Sequence, residues 1–171
     1  MDADTAIKRI RAAVDARRDP DFLVIARTDV RAVEGLDAAI DRAKALVDAG
    51  ADAVFPEAMG DLGEFEAMRT ALDVPILANM TEFGKSDLFS TDQLRGVGVN
   101  MVIWPVSLMR LAMGAAGRGL DALASEGHLR EHLGEMQHRA DLYDLIDYEH
   151  YTRFDANVFD FTVTDDRATR E

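Results

Sequence analysis

With 171 residues, 48% of them apolar, and a formal charge of −13, the chain has room for one cored domain and is too apolar to be disordered. Its acidic balance excludes a basic surface for nucleic acid. The lack of any cysteine removes disulfides, thiolate metal sites and cysteine nucleophiles from these residues.

No window approaches the roughly 20 apolar residues of a membrane span. The start, MDADTAIKRIRAA, lacks the apolar core of a signal peptide. A cytoplasmic protein is expected. Its 16 Arg against 3 Lys and 22 Asp against 10 Glu make an acidic, lysine-poor surface suited to high salt, where charge repulsion is screened.

In chain order, the first 20 or so residues carry Ile7, Ile10 and Val14 on one helical face. The run FLVIAR (22–27) follows as a strand. In GLDAAIDRAKALVDAG, Leu36, Ile40, Ala43 and Val47 recur at helical spacing and Gly50 closes the helix. DAVFPE (52–57) is the second strand and DLGEFEAMRTALD the next amphipathic helix. VPILAN (74–79) is the third strand, and STDQLRGVG a short helix with Ser90 or Thr91 as its N-cap. VNMVIWP (99–105) is the fourth strand. The runs begin 30, 22 and 25 residues apart and are apolar on both faces, which predicts an α/β fold with a covered parallel sheet. After Pro105 the pattern is wholly helical. SLMRLAMGAAGRGLDALASEG leads to HLREHLGEMQHRADLYDLIDYEHY, with Leu129, Leu133, Met136, Ala140 and Tyr143 on one stripe. From Asp155 no period is visible. The expected division is therefore 1–106 for the βα units, 107–154 for a helical region and 155–171 for a tail.

Ligands of parallel α/β proteins bind beyond the carboxyl ends of the strands. There the sequence places Arg27-Thr28-Asp29, then Pro56-Glu57, then Asn79-Met80-Thr81-Glu82, and finally Trp104-Pro105 running to Ser107 and Arg110. Each has a plainer explanation. Arg27 and Asp29 could be a structural ion pair, and Glu57 a helix N-cap. Asn79 and Thr81 could satisfy turn backbone, and Arg110 and Arg139 could be solvated charges. The coincidence on one rim outweighs any single member. His128 and His132, four apart with His138 nearby, lack a carboxylate at metal-ligand spacing and read as surface or interface histidines. Ser107 has no His-Asp companions, and no glycine-rich phosphate loop is present.

The run FLVIARTDVRAVEGLDAAIDRAKALVDAGADAVFPEA, followed by VPILANMTEFG, WPVSLMRLAM and MQHRADLYDLIDY, resembles the 2-methylisocitrate lyase family. That family lies within the isocitrate lyase and phosphoenolpyruvate mutase superfamily. The resemblance covers about residues 5–150. It implies a (β/α)8 TIM barrel, of which this chain supplies about four βα units, a half barrel, plus carboxyl-terminal helices. The implied reaction is Mg2+-assisted, aldol-type cleavage of the tricarboxylate 2-methylisocitrate to pyruvate and succinate, in propionate catabolism through the methylcitrate cycle. Arg27 would hold a substrate carboxylate, and Glu57 would sit beside the metal's water shell and the substrate hydroxyl. Asn79, Met80 and Thr81 would line the succinate end, Met80 through its backbone. Arg110 and Arg139 would clamp further carboxylates.

The family's magnesium-binding aspartates, its Gly-rich substrate loop and its acid cysteine belong to the other half of the barrel. No metal ligand and no catalytic acid is therefore assigned to this chain, whose activity alone is expected to be slight. Its expected partner is a second copy or an amino-terminal half, and the family's habit of exchanging terminal helices points to residues 107–154 for assembly. Two alternatives stand beside this reading. One is a superfamily lyase for isocitrate, dimethylmalate, oxaloacetate or a phosphonate. The other is an inactive, co-assembling fragment.

Overall fold

The computed structural model describes residues 1–159. Helix α1 (Ala3–Ala16) starts at Asp2, whose carboxylate accepts the Thr5 N–H at 2.8 Å and so fills the N-cap. It is followed by β1 (Ile25–Thr28), the short α2 (Arg31–Glu34), α3 (Leu36–Asp48), β2 (Ala53–Pro56) and α4 (Leu62–Ala71). Then come β3 (Leu77–Asn79), α5 (Thr91–Gly96), β4 (Met101–Ile103) and α6 (Ser107–Glu126). A 3-10 helix (Arg130–Glu135), α7 (Arg139–Leu145) and α8 (Tyr148–Val158) complete the described chain.

The strands pair in parallel, β1 with β2 from Ile25 opposite Ala53 to Thr28 opposite Pro56, and β3 with β4 from Leu77 opposite Met101 to Asn79 opposite Ile103. A parallel bridge between Val54 and Ile76 joins the two pairs. All four strands therefore run one way, and their carboxyl ends lie on one side. No sheet closes on itself among the described residues. The α/β class matches the expectation.

One face of the strands is covered. Ala26, Val54 and Ala78 are buried together with Ala39 and Ala43 of α3, Phe65 and Met68 of α4, and Leu94 of α5. Small side chains on both partners bring α3 close to the strands. The buried stripe of α3 is Ala39, Ala43 and Leu46, a rotation of the expected stripe in which Leu36, Ile40 and Val47 are only partly buried. The opposite face is covered only in part: Ala53 and Leu77 are buried there, while Ile25 and Arg27 of β1 and Ile103 of β4 are exposed. The expectation of a sheet covered on both faces is thus corrected, because helices pack on one side alone in this chain.

The amino ends of the strands are pinned by two polar side chains. Asp52 accepts from Arg17 and from the Val24 N–H, each at 2.8 Å. Asn100 accepts the Ile76 N–H at 3.0 Å. Ser90 caps α5 and forms a reciprocal capping box with Gln93. Gly50 sits at φ +103 after α3, where a Cβ would meet Val14 of α1 at 3.1 Å, so both backbone and packing require glycine.

The chain divides into compact units at Met113/Gly114, inside α6, where the sequence suggests 106/107. In the second unit the expected continuous helical stripe is broken. The 3-10 helix stops before Met136, α7 begins after His138, and Asp147 in the left-handed region (φ +48) separates α7 from α8. Tyr143 and Tyr148 stack across that break with ring centroids 4.4 Å apart. Asp155 opens no tail, since α8 continues to Val158. The remainder of the expected tail, 160–171, lies outside the described residues. No described helix is long and apolar enough to cross a membrane.

Phe65 is 2% exposed, between α4 and the strands. Phe65→Ala is expected to lower stability by about 3–5 kcal/mol. Urea denaturation should show a lower midpoint with an unchanged slope.

Candidate functional site

The alternation that buries Ala26 and Thr28 turns Arg27 to the partly covered face, in register with Phe55 of β2. Its guanidinium carbon lies 4.9 Å from the Phe55 ring centre. Nε and Nη2 of Arg27 donate to the two oxygens of Asp29 at 3.2 and 2.8 Å, a bidentate fork. Nη2 also stands 3.2 Å from Glu57 Oε2. The same Glu57 oxygen accepts from Asn79 Nδ2 at 3.3 Å. One polar chain thus crosses the ends of β1, β2 and β3.

A second group follows directly. Thr81 and Glu82 leave β3 and meet Arg110 of α6. Arg110 Nη1 lies 3.4 Å from Thr81 Oγ1, 2.9 Å from the Glu82 carbonyl and 3.1 Å from Glu82 Oε2. The Arg110 guanidinium carbon lies 5.6 Å from the Phe83 ring centre.

Backbone strain gathers at these loops. Ala58, Phe83 and Val106 adopt φ values of +60, +62 and +58, immediately after Glu57, after Glu82 and before Ser107. For side-chain-bearing residues, and above all for β-branched Val106, this conformation costs about 1–3 kcal/mol and marks functional loops.

Arg27, Glu57 and Asn79 are therefore brought together in one group, and Thr81 and Arg110 in another, with both groups at the carboxyl side of the strands. Met80 is 1% exposed, and its N–H donates to the Ile103 carbonyl at 2.9 Å while its sulfur accepts from the Phe89 N–H. Its amide holds β3 to β4 and is engaged within the protein. Arg139 begins α7, behind the His138 cap, in the second unit. The plain alternatives also resolve. Asp61, not Glu57, caps α4. Arg110 is engaged through Nη1 by Thr81 and Glu82 rather than merely solvated, and the Arg27–Asp29 ion pair does form. Asp29 and Glu82 complete the rim as counter-charges. Their signal in the sequence is proximity, one lying two residues after an arginine and the other one residue after Thr81.

The guanidiniums keep unassigned donors. Among the described residues, Arg27 Nη1 and the Nε and Nη2 of Arg110 donate to no partner. The buried Asn79 Oδ1 accepts from none. A buried acceptor without a donor is costly and unusual in a folded protein. The rim thus presents charged donors suited to carboxylates, with the buried Asn79 Oδ1 behind them. The fit to a magnesium ion is poor. No three His, Asp or Glu side chains converge among the described residues, and both Asp29 and Glu57 face Arg27.

The phosphoenolpyruvate phosphomutase family model matches residues 1–124. The chain belongs to that family. Among curated relatives, the 2-methylisocitrate lyase of Escherichia coli is 48% identical over 153 residues, covering 90% of this chain and 52% of that protein. The chain spans about half the length of the curated relatives it matches. Among solved structures, 2,3-dimethylmalate lyase superposes with a TM-score of 0.78 at 29% identity, over 92% of this chain and 56% of that one. Phosphonopyruvate hydrolase in complex with oxalate and Mg++ superposes at 0.74 and 25% identity, over 91% and 56%.

The Arg27 fork holds the Asp29 carboxyl below its usual value of 3.8. A carboxyl depressed in the folded state contributes stability above the unfolded value and loses it as pH falls through the folded one. The Arg27–Asp29 pair should therefore stabilise the fold above about pH 4 and fade below it. Thermal melts across pH 2–6 are expected to show a shallower acid loss for Asp29→Asn than for the parent.

Proposed function

We propose that the chain is the carboxyl-terminal half of a 2-methylisocitrate lyase. Joined to an amino-terminal half, it cleaves 2-methylisocitrate to pyruvate and succinate with Mg2+, in propionate breakdown. The observation that carries this reading is the polar chain from Arg27 through Glu57 to Asn79, beside a second group of Thr81, Glu82 and Arg110 that begins two residues further along the chain. In each group a guanidinium has donors left over. Two separated carboxylate-binding ends with an amide acceptor between them suit a tricarboxylate bearing a hydroxyl.

In that assembly Arg27 and Arg110 bind carboxylates, and Asn79 fixes the orientation of the hydroxylated carbon between them. Glu57 holds Asn79 and offers an acceptor beside the reacting hydroxyl. Arg139 would supply a further cation. The magnesium ion, which polarises the substrate's oxygens in such cleavages, takes its ligands from outside these residues. So does the proton donor for the succinate carbanion. Residues 107–154 serve assembly.

Co-expression of this chain with the amino-terminal part of a 2-methylisocitrate lyase tests the reading. Pyruvate release from 2-methylisocitrate should appear with Mg2+, vanish with EDTA, and be absent for the chain alone. Arg27→Gln or Arg110→Gln should lower kcat/KM about 100-fold, through loss of a charge-assisted fork. An assembly that binds the substrate and leaves it intact would overturn the proposal. The 2,3-dimethylmalate lyase likeness supports a second reading, a dicarboxylate substrate within the same superfamily. Parallel assays with dimethylmalate, isocitrate and oxaloacetate separate the two, since a dicarboxylate should be indifferent to one of the arginine substitutions.

A further inference from the structure

Glu57 links Arg27 to Asn79, yet it stands at the mouth of a loop that the rim does not itself secure. Residues 57–61 carry the chain from β2 to α4, with Ala58 in the left-handed region. Beneath them lies an ion pair absent from the rim. Arg31, the first residue of α2, donates from Nε to Glu64 Oε2 at 2.9 Å and from Nη2 to Oε1 at 2.6 Å. Glu64 Oε2 in turn accepts the Gly60 N–H at 2.5 Å. The pair is less exposed than the rim's own, at 33% and 16% for its two side chains against 52% and 61% for Arg27 and Asp29. A Cβ on Gly60 would fall 2.6 Å from Arg31 Nη2, so the guanidinium occupies the space a larger residue needs.

The consequence is topological. Arg31 follows Asp29 by two residues, on the segment leaving β1. Gly60 follows Glu57 by three, on the segment leaving β2. One carboxylate therefore ties together the two loops that bear Arg27, Asp29 and Glu57, while the Glu57 N–H bonds the Thr28 carbonyl at 2.9 Å. The fork holds the Glu64 carboxyl below its usual value, and the Gly60 N–H adds to the effect. The clamp is thus charged at neutral pH.

We propose that Arg31 and Glu64 are a positioning pair, which sets Glu57 against Arg27 and Asn79 from outside the substrate-facing rim. Its bearing on catalysis rests on the functional reading above, but its geometry does not.

The test reads Asn79 directly, in the full chain labelled with 15N. The Asn79 side-chain amide protons donate to Glu57, so their exchange with water reports whether Glu57 is in place. In Arg31→Gln and Glu64→Gln this exchange is expected to quicken on the order of five-fold, the equivalent of one neutral hydrogen bond. Backbone amides of the four strands should keep their shifts. The exchanged pair, Arg31→Glu with Glu64→Arg, restores the ion pair but removes the acceptor of the Gly60 N–H, and should recover slow exchange only in part. Parent-like exchange in both Gln variants, with the strands intact, would show that buried Met59 suffices to hold the loop and would overturn the proposal. If a Gln variant loses its strand signals, Gly60→Ala decides in the same way, because it displaces Arg31 Nη2 and keeps both charges. Failure of the parent assembly to release pyruvate would remove the lyase reading and leave this comparison untouched.

Discussion

A single carboxylate oxygen, Glu57 Oε2, lies 3.2 Å from Arg27 Nη2 and accepts from Asn79 Nδ2 at 3.3 Å. Its position depends on parallel pairing. With β1 in register with β2, and β2 bridged to β3 through Val54 and Ile76, three strand ends arrive side by side. Residues separated by 52 positions in sequence become neighbours. Antiparallel pairing would send alternate strand ends to opposite sides and dissolve the cluster. The backbone ladder is thus what makes a site from scattered residues, and the helices on the covered face hold the ladder in place.

The two ends of the strands are built by different means. At the amino ends Asp52 and Asn100 are engaged by Arg17, Val24 and Ile76. These contacts satisfy backbone and charge locally. At the carboxyl ends the side chains are only partly satisfied, and left-handed Ala58, Phe83 and Val106 bend the loops around them. Local satisfaction at one end and deficit at the other is the expected division between scaffold and site in parallel α/β proteins.

Much of this was legible in the residues. Short apolar runs bounded by helix signals located all four strands, and Gly50 and Ser90 marked a helix end and a helix start through backbone rules that act locally. The rim followed from strand direction, which is why Arg27, Glu57, Asn79 and Arg110 could be picked from polarity at strand ends. Other features depended on distance in the fold. The α3 stripe turned to Ala39, Ala43 and Leu46 because close approach to the strands favours alanine, whereas hydrophobicity alone pointed to larger side chains. Arg31 and Glu64 carry no local signal of their pairing, since nothing nearby in the sequence reveals a partner 33 residues away. The breaks around α7 hinge on the His138 cap and a left-handed Asp147, neither of which interrupts an apolar stripe.

The partly covered strand face has a colloidal consequence. Ile25, Ile103 and Trp104 stand exposed beside strand edges that other strands could extend. A charge of −13 keeps neighbouring copies apart in dilute buffer, and dissolved ions shorten the reach of that repulsion. Net repulsion between copies and apolar strand edges thus oppose one another on this molecule, and ionic strength, through screening, alters only the first of the two.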